Sequence, residues 1–226
     1  MLWKNTVTPE LLSILEKLQE NELFKDYILA GGTALALQIG HRRSDDIDLF
    51  TTNVQDNEKC LKYFFANYDN VDIINNNKNI LQIMIGEQKI DLLSVKGIMI
   101  ESPLIEDNLK MFNLKDIIGM KLLAIQDRKK AKDYVDIVYL LKEMTLEEMF
   151  NIYKIKYKTD NIYNVKSSLM DSRMVNPYTW SEIKMIRNEI FLSDIPRILE
   201  MEIKEYNKKY GIGKRDLFGM FRKSKK

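Results

Sequence analysis

The stretch Leu29–Thr51, LAGGTALALQIGHRRSDDIDLFT, decides how the chain is read. A short apolar run ends in Gly31-Gly32, a helix-like segment follows, and Asp46-Ile47-Asp48 arrives beyond a basic loop. In an extended strand side chains alternate, so Asp46 and Asp48 share one face while Ile47 and Leu49 share the other. Neighbouring carboxylates repel each other, and a short strand tolerates them best when a cation bridges them. Oxygen ligands of this kind favour Mg²⁺ or Mn²⁺. Gly31-Gly32-Thr33 stands where a strand gives way to a helix; glycines there let the backbone approach a ligand, and the free amides and helix dipole favour an anion. A phosphate cradle and a carboxylate pair joined by one helix describe a site for a metal–nucleotide complex.

Working outward, the first half alternates between helix and strand. Helical spacing runs over Pro9–Gln19, Thr33–Ile39 and Gln55–Asn67, and strands are expected at Tyr27–Ala30, Ile47–Thr51, Val71–Ile74, Ile80–Ile85 and Lys89–Val95. Asn75-Asn76-Asn77 and Gly86-Glu87 read as turns. Within QKIDLLSV, Asp91 is the one acid among apolar neighbours. A lone buried acid is costly, which makes Asp91 the best third carboxylate for two-metal chemistry.

After Pro103 the pattern turns helical. Asn113 can cap Leu114–Gln126, Thr145 with Glu148 and Thr179 with Glu182 have capping-box spacing, and Asp194 opens a last helix with Pro196 in its first turn. The boundary between the halves falls near residues 96–112. If KLLAIQDRKKAKDYVDIVYLL is one helix, Lys121, Arg128 and Lys132 lie within about 40° of one another and Asp136 about 40° further round, at ~100° per residue. A kink near Lys129-Lys130 would change these angles. Lys132 and Asp136 also have the i,i+4 spacing of an ordinary helix ion pair, and His41-Arg42 read as loop residues.

Composition narrows the possibilities. The 226 residues are 45% hydrophobic and 30% charged, enough for a substantial core. One histidine and one cysteine, His41 and Cys60, make a zinc site improbable and an intramolecular disulfide impossible. No apolar run approaches the ~18 residues of a membrane span, and the start lacks the order of a signal peptide, so the cytoplasm is the expected compartment and no membrane partner is expected. Residues 208–226 carry eight Lys/Arg against Asp216 alone, a tail suited to phosphate backbone or to simple solubility.

The Gly-Gly turn, short helix, Asp-x-Asp strand and later Asp91 resemble the nucleotidyltransferase superfamily with the DNA polymerase β-like core. The longer string GGTALALQIGHRRSDDIDLF is similar to one branch, the AbiEii/AbiGii nucleotidyltransferase toxins of type IV toxin–antitoxin and abortive-infection systems, and KLLAIQDRKKAKDYVDIVYLL resembles that branch's second signature. The resemblance covers roughly residues 27 to 142; residues 143 to 226 carry no matching motif. It implies an α+β fold, with a mixed-sheet nucleotidyltransferase core over residues 1–96 and a helical C-terminal domain over 97–226 that completes the active site between Lys121 and Asp136.

Carried over by residue, the resemblance implies that Gly31, Gly32 and Thr33 hold the triphosphate. Many nucleotidyltransferases have serine at the position of Gly32, and here the Thr33 hydroxyl is the expected substitute. Asp46, Asp48 and Asp91 would hold Mg²⁺ (or Mn²⁺), as two ions, with Asp91 also readying the acceptor hydroxyl. Lys121 would meet phosphate charge, and Arg128, Lys132, Asp133 and Asp136 would cluster beside the nucleotide. The implied reaction moves NMP from an NTP to an RNA hydroxyl, with the tRNA 3′ end as expected acceptor and arrested growth as the effect. A genetically paired antitoxin, acting without a stable complex, is the implied partner. Two other readings stay open: an antibiotic-type enzyme that modifies a small molecule, and a non-catalytic nucleotide- or RNA-binding regulator.

Overall fold

The protein's structure, a computed structural model, describes residues 1–95, 97 and 99–211. Helix α1 (Pro9–Glu20) starts at Thr8, whose side chain accepts from the Leu11 amide, and buries Leu11, Ile14, Leu15 and Leu18. Strand β1 (Ile28–Leu29) leads into α2 (Gly31–Ile39), then β2 (Asp46–Thr51) and α3 (Asn57–Asn67). Strands β3 (Val71–Asn77), β4 (Ile80–Ile85) and β5 (Gln88–Ser94) form a meander, and a hairpin follows, β6 (Leu104–Glu106) with β7 (Leu109–Met111). Helices α4 (Leu114–Asp127), α5 (Ala131–Leu140), α6 (Leu146–Tyr157), α7 (Tyr163–Met170), α8 (Pro177–Ser181) and α9 (Ile195–Lys209) complete the described chain.

The seven strands make one mixed sheet in the order β3-β4-β5-β2-β1-β7-β6. Strand β2 lies parallel to β5 and antiparallel to β1, and β1 lies parallel to β7. Residues 104–111 thus belong to the sheet, which extends into the 96–112 stretch where the boundary between the halves was expected. The two residues that turn this hairpin, Asp107 and Asn108, both have positive φ, the conformation of a tight primed turn. Asp and Asn tolerate that conformation better than most side chains, a signal the apolar spacing does not carry.

Two local expectations are corrected. Asn75–Asn77 are strand rather than turn: Asn75 donates to the Gln82 side chain at 3.3 Å, and Asn57 at the start of α3 donates to the Asn76 side chain and the Asn77 carbonyl. The turn moves to Lys78-Asn79. Thr179 does not cap a helix, because Asn176 caps α8 one residue before Pro177. The basic segment takes the kinked alternative rather than the continuous one. Helix α4 ends at Asp127, Lys129 takes φ +39, and α5 begins at Ala131, so the angles of a continuous helix do not apply.

A single buried apolar cluster joins sheet and helices, with α2 packed on both β2 and α4, and α4 packed on α5, α6 and α7. The site therefore lies between elements held by one core. Among the described residues no helix is long and apolar enough to cross a membrane. The basic tail lies outside the described residues from 212 onward.

Candidate active site

Strand register builds the carboxylate face. Along β2, Ile47, Leu49 and Thr51 are buried while Asp46, Asp48 and Phe50 are half-buried, as alternation requires. In the parallel pairing, Asp48 stands opposite Asp91 and Asp46 opposite Lys89; Gln82 of β4 faces Asp91 from the other side. Asp91 Oδ2 accepts from Gln82 Nε2 at 3.1 Å and from the Lys89 ammonium. Asp91 Oδ1 is buried and has no hydrogen-bond partner. Burial pushes the Asp48 carboxyl upward, and the charges of Asp91 and Asp46 push it further, outweighing Lys121 and Lys89.

The double glycine serves the packing of this face as well as the backbone turn. Gly31 has φ +68, and a Cβ there would come within 2.0 Å of Asp48 Oδ2. A Cβ on Gly32 would come within 2.5 Å of Arg42 Nη2. Helix α2 opens at Gly31 with no side-chain cap on its first turn, which leaves amides available to an anion. Thr33 is fully buried, and its hydroxyl donates to the Asp46 carbonyl and accepts from the Ser44 hydroxyl at 3.0 Å. That hydroxyl fastens α2 to β2, so the expectation that it reaches phosphate is corrected.

Beneath the glycines lies a buried ionic network. Arg42 grips Asp136 with Nε at 2.7 Å and Nη2 at 2.9 Å, and His41 Nε2 sits 2.7 Å from Asp136 Oδ1. A carboxylate there can only accept, so Nε2 carries the proton. Lys121 Nζ bridges Asp133 Oδ1 at 2.8 Å and Asp136 Oδ2 at 2.6 Å, and Arg128 binds Asp133 with two bonds of 2.9 Å. Asp133 and Asp136 are fully buried. They are committed to cations, so the expectation that they touch the nucleotide themselves gives way to one in which they seat Lys121 and Arg128. Lys132 makes no i,i+4 pair with Asp136; its Nζ reaches Asp46 Oδ2 at 3.1 Å.

The titrations follow from this geometry. Burial alone would raise Asp136, but Arg42 and Lys121 hold it well below the usual carboxylate range. Burial likewise opposes the Lys121 ammonium, yet Asp136 and Asp133 keep it above its ordinary value. His41 goes the other way: burial outweighs Asp136 and keeps the imidazole neutral. Three permanent cations face two carboxylates, so the network is net positive.

That positive floor opens into a cleft of about 760 Å³ lined by Gly31, Asp48, Lys121 and Arg128. Its apolar wall includes Phe50, Met99, Phe112, Met120 and Leu123, and the end of α6 adds Lys156, Tyr157 and Lys158. Lys156 donates to the buried Asp116 carboxylate at 2.6 Å, and Lys158 is an exposed αL residue with φ +50. Size and chemistry suit a phosphorylated ligand with one flat apolar end.

Sequence reasoning missed His41, Arg42, Lys89, Gln82 and the cleft residues of α6. Strand alternation places Lys89 two residues before Asp91, on the same face, which was the available signal for it. Arg42 and Asp136 are separated by 94 residues, and nothing local announces that pair.

The carboxylate face offers hard oxygen donors, and Asp91 Oδ1 is committed to no protein partner, so the chemistry of Asp46, Asp48 and Asp91 fits a divalent metal. Among the described residues, no three His, Cys, Asp or Glu side chains are already gathered tightly enough to enclose one.

A mixed sheet with two acids on one strand beside a third on its parallel neighbour, next to a glycine-turn helix, is the nucleotidyltransferase arrangement of the polymerase β-like fold. The chain belongs to the nucleotidyl transferase AbiEii toxin family of type IV toxin–antitoxin systems, whose family model matches residues 13–211. It is 27% identical over 201 residues to an uncharacterized protein of Aquifex aeolicus (strain VF5), covering 85% of this chain and 93% of that one. The crystal structure of JHP933 from Helicobacter pylori shares the fold at TM-score 0.56 and 18% identity, over 96% of this chain and all of the other. MenT4, a nucleotidyltransferase toxin of Mycobacterium tuberculosis, aligns at TM-score 0.48 and 13% identity, over 89% and 85% of the two chains.

Proposed function

We propose that this nucleotidyltransferase toxin transfers NMP from an NTP to a hydroxyl of RNA, the tRNA 3′ end, and thereby arrests growth. The observation that carries the reading is the cleft itself, whose lining joins Gly31, Asp48, Lys121 and Arg128 with an aromatic and aliphatic wall. The backbone amides of the uncapped first turn of α2, at Gly31, Gly32 and Thr33, receive the triphosphate while the Thr33 hydroxyl stays on Asp46, and Lys121 and Arg128 neutralise charge that grows on the leaving pyrophosphate. The base rests on the apolar wall. Asp91 helps to orient the acceptor hydroxyl, whose proton passes to solvent as its oxygen bonds to the α-phosphorus and the bond to pyrophosphate breaks. Asp46, Asp48 and Asp91 would hold Mg²⁺ or Mn²⁺, in one or two sites, and such ions supply charge stabilisation at the attacking and leaving oxygens.

The polycationic stretch from Lys208 to Lys226 supports an RNA acceptor, since each phosphate contact adds salt-dependent affinity. The type IV family supports a genetically paired antitoxin.

The test is to incubate the protein with Mg²⁺, total tRNA and each α-labelled NTP in turn, beside tRNA whose 3′ diol has been destroyed with periodate. Label entering intact tRNA alone is the expected result. Equal labelling of both, or of neither, overturns the 3′-end acceptor.

A further inference from the structure

The cations around the carboxylate face are held in different ways. Lys121 is nearly fully buried between two buried carboxylates and has nowhere to go. Lys89 shares Asp91 Oδ2 with Gln82 and leaves Oδ1 without a partner, so Asp91 can take a further cation as it stands. Lys132 differs from both. It crosses from α5 to make one contact, to Asp46 Oδ2 at 3.1 Å, and both side chains remain about a third exposed, at 35% and 36%. A pair that open to water is weak and exchanges readily.

We propose that Lys132 is a placeholder counter-ion. It neutralises Asp46 in the nucleotide-free protein, competes with the divalent cation for that carboxylate, and is released toward the cleft when the cation binds. The inference rests on the reading that Asp46 and Asp48 hold the cation. Asp46, Asp48 and Asp91 crowd three negative charges onto adjacent positions of β2 and β5, and the Asp46 carboxylate is the one whose lysine can leave without exposing a buried charge. Displaced from Asp46, the ammonium lies beside the network that faces the cleft, where a polyphosphate offers it new oxygens. The chain would then couple cation and nucleotide binding: each removes the other's competitor.

The experiment measures Mn²⁺ affinity of the nucleotide-free, full-length protein by electron paramagnetic resonance, which needs no turnover. Lys132→Met is expected to tighten Mn²⁺ binding roughly threefold to tenfold, the range expected for removing a weak ion pair together with a nearby positive charge. Lys132→Arg keeps the charge and should stay near wild type. Asp46→Asn should weaken binding sharply. If Asp46→Asn binds Mn²⁺ as wild type does, the metal reading itself fails. If Asp46→Asn loses Mn²⁺ while Lys132→Met binds no tighter than wild type, the placeholder role alone is overturned.

Discussion

Replacing Arg42 with methionine tests whether the buried network, rather than loop filling, explains the HRR segment. Arg42 makes two short bonds to Asp136 and is 3% exposed, so methionine keeps much of the bulk and removes only the charge and its donors. Breaking a buried pair costs about 3–5 kcal/mol when the remaining charge is stranded. Here Lys121 and His41 still hold Asp136, which puts the expectation near the lower end, about 3 kcal/mol. For a chain of this length that corresponds to a fall in melting temperature of about 6–12 °C. Thermal unfolding followed by circular dichroism at neutral pH measures it, with Arg43→Met as the control. Arg43 is exposed, and its loss should change stability by less than about 0.5 kcal/mol. An Arg42→Met protein that melts within about 2 °C of wild type, or no further than the Arg43 control, refutes the assignment.

Gly31→Ala places a methyl 2.0 Å from Asp48 Oδ2 at φ +68 and should cost at least about 100-fold in transfer while the protein still folds, because an ångström-scale displacement of a reacting group has that effect; near wild-type turnover contradicts it. Lys158→Gly removes a cleft cation and suits the left-handed backbone, so KM for NTP should rise severalfold with the melting temperature unchanged or higher; an unchanged KM removes Lys158 from the binding surface. His41 is held neutral, with its folded pKa below the unfolded value of about 6.5, so the unfolded chain binds the extra proton and stability drops as pH falls below that value, by up to about 1.4 kcal/mol at about pH 5.5. Urea midpoints at about pH 7.5 and 5.5 should therefore converge between wild type and His41→Gln; parallel losses in both proteins contradict it.

Much of the site was legible because the strongest signals are local. Alternation placed Asp46 and Asp48 on one face, and the strand around Asp91 was short, apolar and interrupted by one acid. The strand pairing that seats Asp48 beside Asp91 is not a local property, since β5 reaches β2 only after a three-strand meander. Long-range charge pairs were invisible for the same reason. Arg42 with Asp136 and Lys132 with Asp46 join residues with no shared periodicity, and helical angles alone do not decide between a continuous helix and the break found at Lys129. The glycine pair was placed at the right spot for an incomplete reason: φ and amide access matter at Gly31, but the Asp48 and Arg42 side chains also need the missing Cβ atoms. Strands β6 and β7 escaped notice because three-residue strands leave little alternation to read.

Asp46 and Asp48 carry the central claim, and pyrophosphate release tests it whichever RNA serves as acceptor. Wild type and the Asp46→Asn/Asp48→Asn double variant would be supplied with Mg²⁺, all four NTPs and total RNA, after matching circular dichroism and melting curves establish that both are folded. Pyrophosphate produced by wild type and absent from the variant is the predicted result. Equal production by both proteins would contradict the account.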